Sequence, residues 1–60
     1  MRLSKRHVFG IHRERRTEYH GVPMYELNLD VKDHGIYKNV DVMLMEEDYT
    51  MIQERGYYLC

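Results

Sequence analysis

From Met24 to Val31 the chain alternates cleanly: Tyr25, Leu27, Leu29 and Val31 fall on one side of an extended backbone, Glu26, Asn28 and Asp30 on the other. Successive side chains of a strand point to opposite faces, so this is a strand with one buried and one wet face. Lys32-Asp33-His34-Gly35 then supplies turn chemistry, and a hairpin to a second strand from Ile36 to Met45 follows. In that strand Ile36, Val40, Val42 and Leu44 share one parity, broken by Lys38. The other parity reads Tyr37, Asn39, Asp41, Met43, Met45 and turns from polar to apolar. Its C-terminal half should therefore be covered on both faces.

Residues 46–55 read as a short helix. Glu46, Glu47 and Asp48 place negative charge in the first turn and Arg55 positive charge in the last, each favourable to the helix dipole. Gly56 can adopt the left-handed conformation that ends a helix. Met45, Tyr49 and Ile52, at spacings of four and three, form one narrow apolar stripe, enough to cover a single sheet face. Tyr57 to Cys60 suits one short strand at a sheet edge.

Upstream, Phe9 and Ile11 share a face of a strand expected from His7 to His12. Arg13-Glu14-Arg15-Arg16 has no apolar anchor and reads as a solvated hairpin tip. Thr17, Tyr19 and Val22 suit further strand, with Gly21 and Pro23 pointing to an edge position or a bulge. Residues 1–6 read as a flexible basic arm. The expected fold is α+β: one domain over residues 1–60, a small, mostly antiparallel sheet in the order β-β-β-α-β, with one helix at 46–55.

Sixty residues lie near the lower limit for folding without a disulfide, a metal or a partner. Cys60 is the single cysteine and has no intrachain partner, which fits a reducing, cytoplasmic setting. No apolar run approaches the roughly 20 residues that cross a bilayer, and the N-terminal residues lack the apolar core of a signal peptide. No membrane association is expected. One helix leaves the second face of the Ile36–Met45 strand open, to be covered by the N-terminal hairpin or by a second copy; the second copy is the expectation.

The net charge of −1 hides a division. Residues 1–20 carry a balance of +4 and residues 21–60 a balance of −5. The basic end is suited to phosphate, to an acidic protein surface, or to the acidic part of the same or a sister chain.

Candidate chemistry is sparse. His7 and His12 have the spacing of a zinc-ligand pair, but no cysteine pair accompanies them and on a regular strand they point apart. His20 and His34 stand beside glycines in expected turns. Cys60 has no positioned base to activate it. Glu46, Glu47 and Asp48 diverge around a helix and are better read as first-turn charge than as paired catalytic acids. No enzyme activity, cofactor or metal is expected.

The segment Lys38-Asn39-Val40-Asp41-Val42-Met43-Leu44-Met45-Glu46-Glu47-Asp48-Tyr49, with Ile52 and Gly56-Tyr57-Tyr58-Leu59, resembles the opening of small phage-type HNH homing endonucleases. There a V-x-L-V-D-D strand leads into E-D-Y, a short helix and an aromatic pair. The resemblance covers about a third of the chain and implies a β-α-β unit of a kind met in phage and mobile-element proteins. That family's catalytic His and Asn lie downstream of the matching segment, so no catalytic residue is carried over.

The expected function is that of a small non-enzymatic binding protein, a homodimer, that modulates a larger macromolecule as a regulator or inhibitor. Its protein-binding residues are expected at the basic tip, Arg13, Arg15 and Arg16 with Tyr19. Tyr37, Met43 and Met45 are expected to form a dimer or partner face. The alternative is direct nucleic-acid binding through Arg2, Lys5, Arg6, Arg13, Arg15 and Arg16.

Overall fold

A computed structural model describes residues 3–60. Three consecutive antiparallel strands, β1 (Lys5–Tyr19), β2 (Val22–Asp33) and β3 (Ile36–Met45), lead into one helix, α1 (Glu46–Arg55), and a last strand, β4 (Tyr57–Leu59). The sheet order is β3-β2-β1-β4, so α1 carries the chain across one face from one edge to the other. This is the α+β class and the β-β-β-α-β order along the chain that the alternation and the helix-end signals predict.

Both tight turns are spelled His-Gly. His20 (φ 49°) with Gly21 (φ 78°), and His34 (φ 51°) with Gly35 (φ 78°), take the paired positive φ values of a two-residue hairpin. The helix starts after an extended Met45 with no side-chain cap and ends at Gly56 (φ 78°, ψ 14°), whose N–H donates to the Ile52 carbonyl at 2.9 Å. Gly56→Ala meets no steric obstacle but forces an L-residue into the left-handed region. The expected cost is about 1 kcal/mol, or a Tm lower by about 4–8 °C in a thermal melt.

The core lies between α1 and β2. Leu27, Leu29, Val31, Ile52 and Tyr58 are buried, with Val8, Tyr25, Val40, Val42, Leu44 and Tyr49 packed around them. Tyr25 and Tyr49 stack with centroids 4.0 Å apart and planes 4° from parallel, and the neighbouring Glu14 carboxylate raises the pKa of the Tyr49 hydroxyl. Of the expected helix stripe, Tyr49 and Ile52 reach this core. Met45 closes β3 and stays 46% exposed.

β1 departs most from expectation. It is one 15-residue strand whose pairing with β2 shifts between Val8 and Gly10 and again between Ile11 and Arg13. Each shift is a bulge, an extra residue that bends the strand. Arg13-Glu14-Arg15-Arg16 is therefore the middle of a strand and not a hairpin tip; the tip is Tyr19-His20-Gly21-Val22. Phe9 and Ile11 do not share a face either, because Ile11 pairs with inward Leu29 while Phe9 lies against the outward Tyr37 ring. The bulges likewise bring His7, paired with Lys32, and His12, bonded to Asp30, to the same side.

Of the expected basic arm, Met1 and Arg2 lie outside the described residues. Lys5 and Arg6 begin β1, and Ser4 and Cys60 exchange backbone hydrogen bonds at 3.2 and 3.0 Å, extending the pairing of β1 with β4. Pro23 sits one residue past the last β3 pair, Met24 with Met45, so its missing N–H removes nothing from that ladder.

Candidate functional site: the helix-free face of the sheet

The N-terminal hairpin belongs to the same sheet, with β2 between β1 and β3, so it does not fold over β3. The face opposite α1 is open over its whole length, and the expected double coverage of β3 is absent within one chain. Outward residues are the even positions of β2 and the odd positions of β3, with the β1 residues that oppose them.

The middle of this face is a polar ladder. Asn28-Leu29-Asp30 and Asn39-Val40-Asp41 spell the same triplet, and Leu29 pairs with Val40, so the local two-fold of the hairpin maps one onto the other. The two asparagines exchange amide hydrogen bonds at 2.9 Å in both directions. Asn28 Nδ2 also donates to Asp41 Oδ1 at 2.8 Å, and Asn39 Nδ2 to Asp30 Oδ1 at 2.9 Å. Arg13 reaches Asp41 at 3.1 Å, and Arg15 reaches Glu26 at 2.9 Å. The hydrogen bond from His12, then that from Asn39, holds Asp30 below the usual carboxylate range. Asn28, then Arg13, does the same for Asp41.

Apolar groups occupy the two ends. At one, Phe9 and Tyr37 meet with ring centroids 5.4 Å apart, and the Lys32 ammonium stands 5.1 Å over Tyr37. At the other, Tyr19, Val22, Met24, Met43 and Met45 line an open groove of about 390 Å³ with Leu44, His20 and Asp48.

The expected partner face is thus split. Met43 and Met45 share the groove, while Tyr37 lies six residues from Met43, about 20 Å along the strand. Arg13, Arg15 and Tyr19 are on the open face, but Arg16 pairs with inward Tyr25. The cations proposed to meet nucleic acid are not gathered. Arg2 lies outside the described residues, Lys5 stands 4.7 Å over Tyr57, and Arg6 is turned inward to Asp33 and Tyr58.

Sequence reading missed two parts of this site. Met24, Val22 and Tyr19 join the methionines only because the first hairpin turns at His20-Gly21, two residues short of Pro23. The repeated Asn-apolar-Asp triplet was legible, but its meaning depends on the pairing of Leu29 with Val40.

Together, the fold and this face define a small α+β protein with an open, amphipathic sheet surface. No family model, curated protein or solved structure matches the chain. Among the described residues, no helix is long and apolar enough to cross a membrane.

Proposed function

We propose that this is a non-enzymatic, cytoplasmic binding protein that docks a protein partner on the helix-free face of its sheet. In doing so it modulates a larger macromolecular assembly, as small phage or mobile-element regulators and inhibitors do. The observation that carries this reading is the methionine groove. Met43 and Met45 stay 45% and 46% exposed beside Tyr19 and Val22, and flexible thioethers next to aromatic rings suit an adaptable contact. The ladder beside the groove is internally satisfied, so its charged groups orient a partner and offer little free reactivity. Arg13 and Arg15 give that ladder a basic margin toward β1.

The test is affinity capture from cell extract with the wild-type chain, with Met24→Asp plus Met43→Asp, and with Arg13→Glu plus Arg15→Glu. A stoichiometric protein partner that is lost with the methionine pair, while circular dichroism and Tm stay unchanged, supports the reading. The same proteins retained by all three chains would overturn it. A gel-shift series separates the nucleic-acid alternative, for which affinity drops steeply between about 50 and 200 mM salt.

A further inference from the structure

We infer that two copies of this chain pair through β3, edge to edge and antiparallel, to form one continuous sheet with both helices on the same side. This goes beyond partner docking, because edge pairing leaves the open face free and doubles its width across the strands.

The two edges of the sheet are unlike. On one side β4 is only three residues long, and beyond it the edge of β1 is interrupted by two bulges and carries four consecutive charged residues. Short strands, bulges and edge charges are the usual devices that prevent strand addition. β3 is neither short nor bulged, and both of its charged residues, Lys38 and Asp41, are paired within the chain. Its ten residues pair with β2 without a shift, and its one lysine, Lys38, turns to Asp33, with Nζ 3.5 Å from Oδ2. The outer backbone groups of a long, regular strand are left without partners in the sheet.

Turn geometry says which groups these are. A two-residue hairpin closes on a pair that exchanges both hydrogen bonds, here Asp33 with Ile36. The alternation of an antiparallel ladder then points the N–H and C=O of Ile36, Lys38, Val40, Val42 and Leu44 toward β2. Those of Tyr37, Asn39, Asp41 and Met43 point out.

The side chains select one register. With the two-fold at Val40, Asn39 lies opposite the partner's Asp41, Tyr37 opposite the partner's Met43, and Ile36 opposite the partner's Leu44. The four outward residues from Tyr37 to Met43 then face one another, giving about eight backbone hydrogen bonds. A neutral amide therefore stands opposite each Asp41 and no like charges meet at the axis, while a thioether meets an aromatic ring. Other registers are worse. Centres at Lys38 or Asp41 set like charges opposite each other, and centres at Asn39 or Val42 set Asp41 against Tyr37 or Met43.

The experiment has three readouts on the full chain. Light scattering across a concentration series shows a dimer that dissociates on dilution. Val40→Cys in a Cys60→Ser background crosslinks to a covalent dimer on mild oxidation, since residues facing across a non-hydrogen-bonded pair approach to about 4.5 Å between Cα atoms. Val42→Cys in the same background, facing the partner's Lys38, does not. In the wild type, the amides of Asn39, Asp41 and Met43 are protected from exchange in the dimer and lose that protection on dilution, which needs no variant to fold. A monomer up to about 200 μM overturns the proposal, as does a dimer in which Val40→Cys fails to crosslink and these amides exchange freely. Partner capture is scored separately, so either reading can fail alone.

Discussion

Leu29→Ala is expected to leave the chain largely unfolded at 25 °C. Leu29 has no exposed surface and lies at the centre of β2, between Ile11 and Val40 and beneath α1. Truncating a fully buried leucine costs about 2–5 kcal/mol. A domain of this size draws no more than about 3–5 kcal/mol from its single core, so the loss equals most of the margin. Far-UV circular dichroism and a urea titration check it. A native spectrum with a midpoint within experimental error of the wild type would contradict the assignment of Leu29 to the core centre. Val31→Ala should behave similarly and Met43→Ala should not, because Met43 is on the open face.

The second large effect is expected at Arg6. Its guanidinium joins three strands: Nε donates to Asp33 Oδ2 at 3.2 Å, and Nη1 donates to the Tyr58 hydroxyl at 3.0 Å. Asp33 is 8% exposed and its Oδ1 accepts no hydrogen bond, so it depends on this cation and on Lys38 and His34 nearby. Burial alone pushes the Asp33 carboxyl up. The Arg6 hydrogen bond and the charges of His34, Lys38 and Arg6 outweigh it, and the pKa lies below the ordinary 3.8. A carboxylate with a depressed folded pKa contributes stability that is fully present above its unfolded value and is lost as pH falls through the folded one. Arg6→Met should therefore lower Tm by about 10 °C at pH 7. That difference should shrink as pH drops below 3.8, where Asp33 no longer needs its partner. Parallel thermal melts of both chains at pH 7 and in acid test it, and a Tm gap that stays constant would remove the linkage.

The sequence was most legible where periodicity was undisturbed. The alternation from Met24 to Val31 marks the middle of β2. The limits of β3 and α1 follow from the turn before Ile36, the charged helix ends and the glycine stop, whereas the start of β2 at Val22 and its end at Asp33 do not. β1 was opaque because its inward residues, Val8, Ile11 and Glu14, recur every third position. Two bulges produce that spacing, and neither a strand nor a helix rule detects it. The charged run 13–16 then looked like a tip, although Glu14 pairs with inward Leu27 near Tyr49, and Arg13 and Arg15 are outward, bonded to acids. The candidate site was legible in its methionines and arginines. It was not legible in its layout, because the partition of the face into two apolar ends and a polar middle exists only once β1, β2 and β3 are aligned.

The asparagine–aspartate ladder also decides what can lie on this surface. A flat greasy visitor spanning all of it would strip water from two carboxylates and their neighbours and return nothing, a loss larger than its gain at either tip. Only a visitor bringing amides, hydroxyls or cations to the centre, and oily groups to the extremities, escapes that penalty. For the docking role proposed above, discrimination among proteins would thus come from the middle of the sheet, and adhesion from its ends.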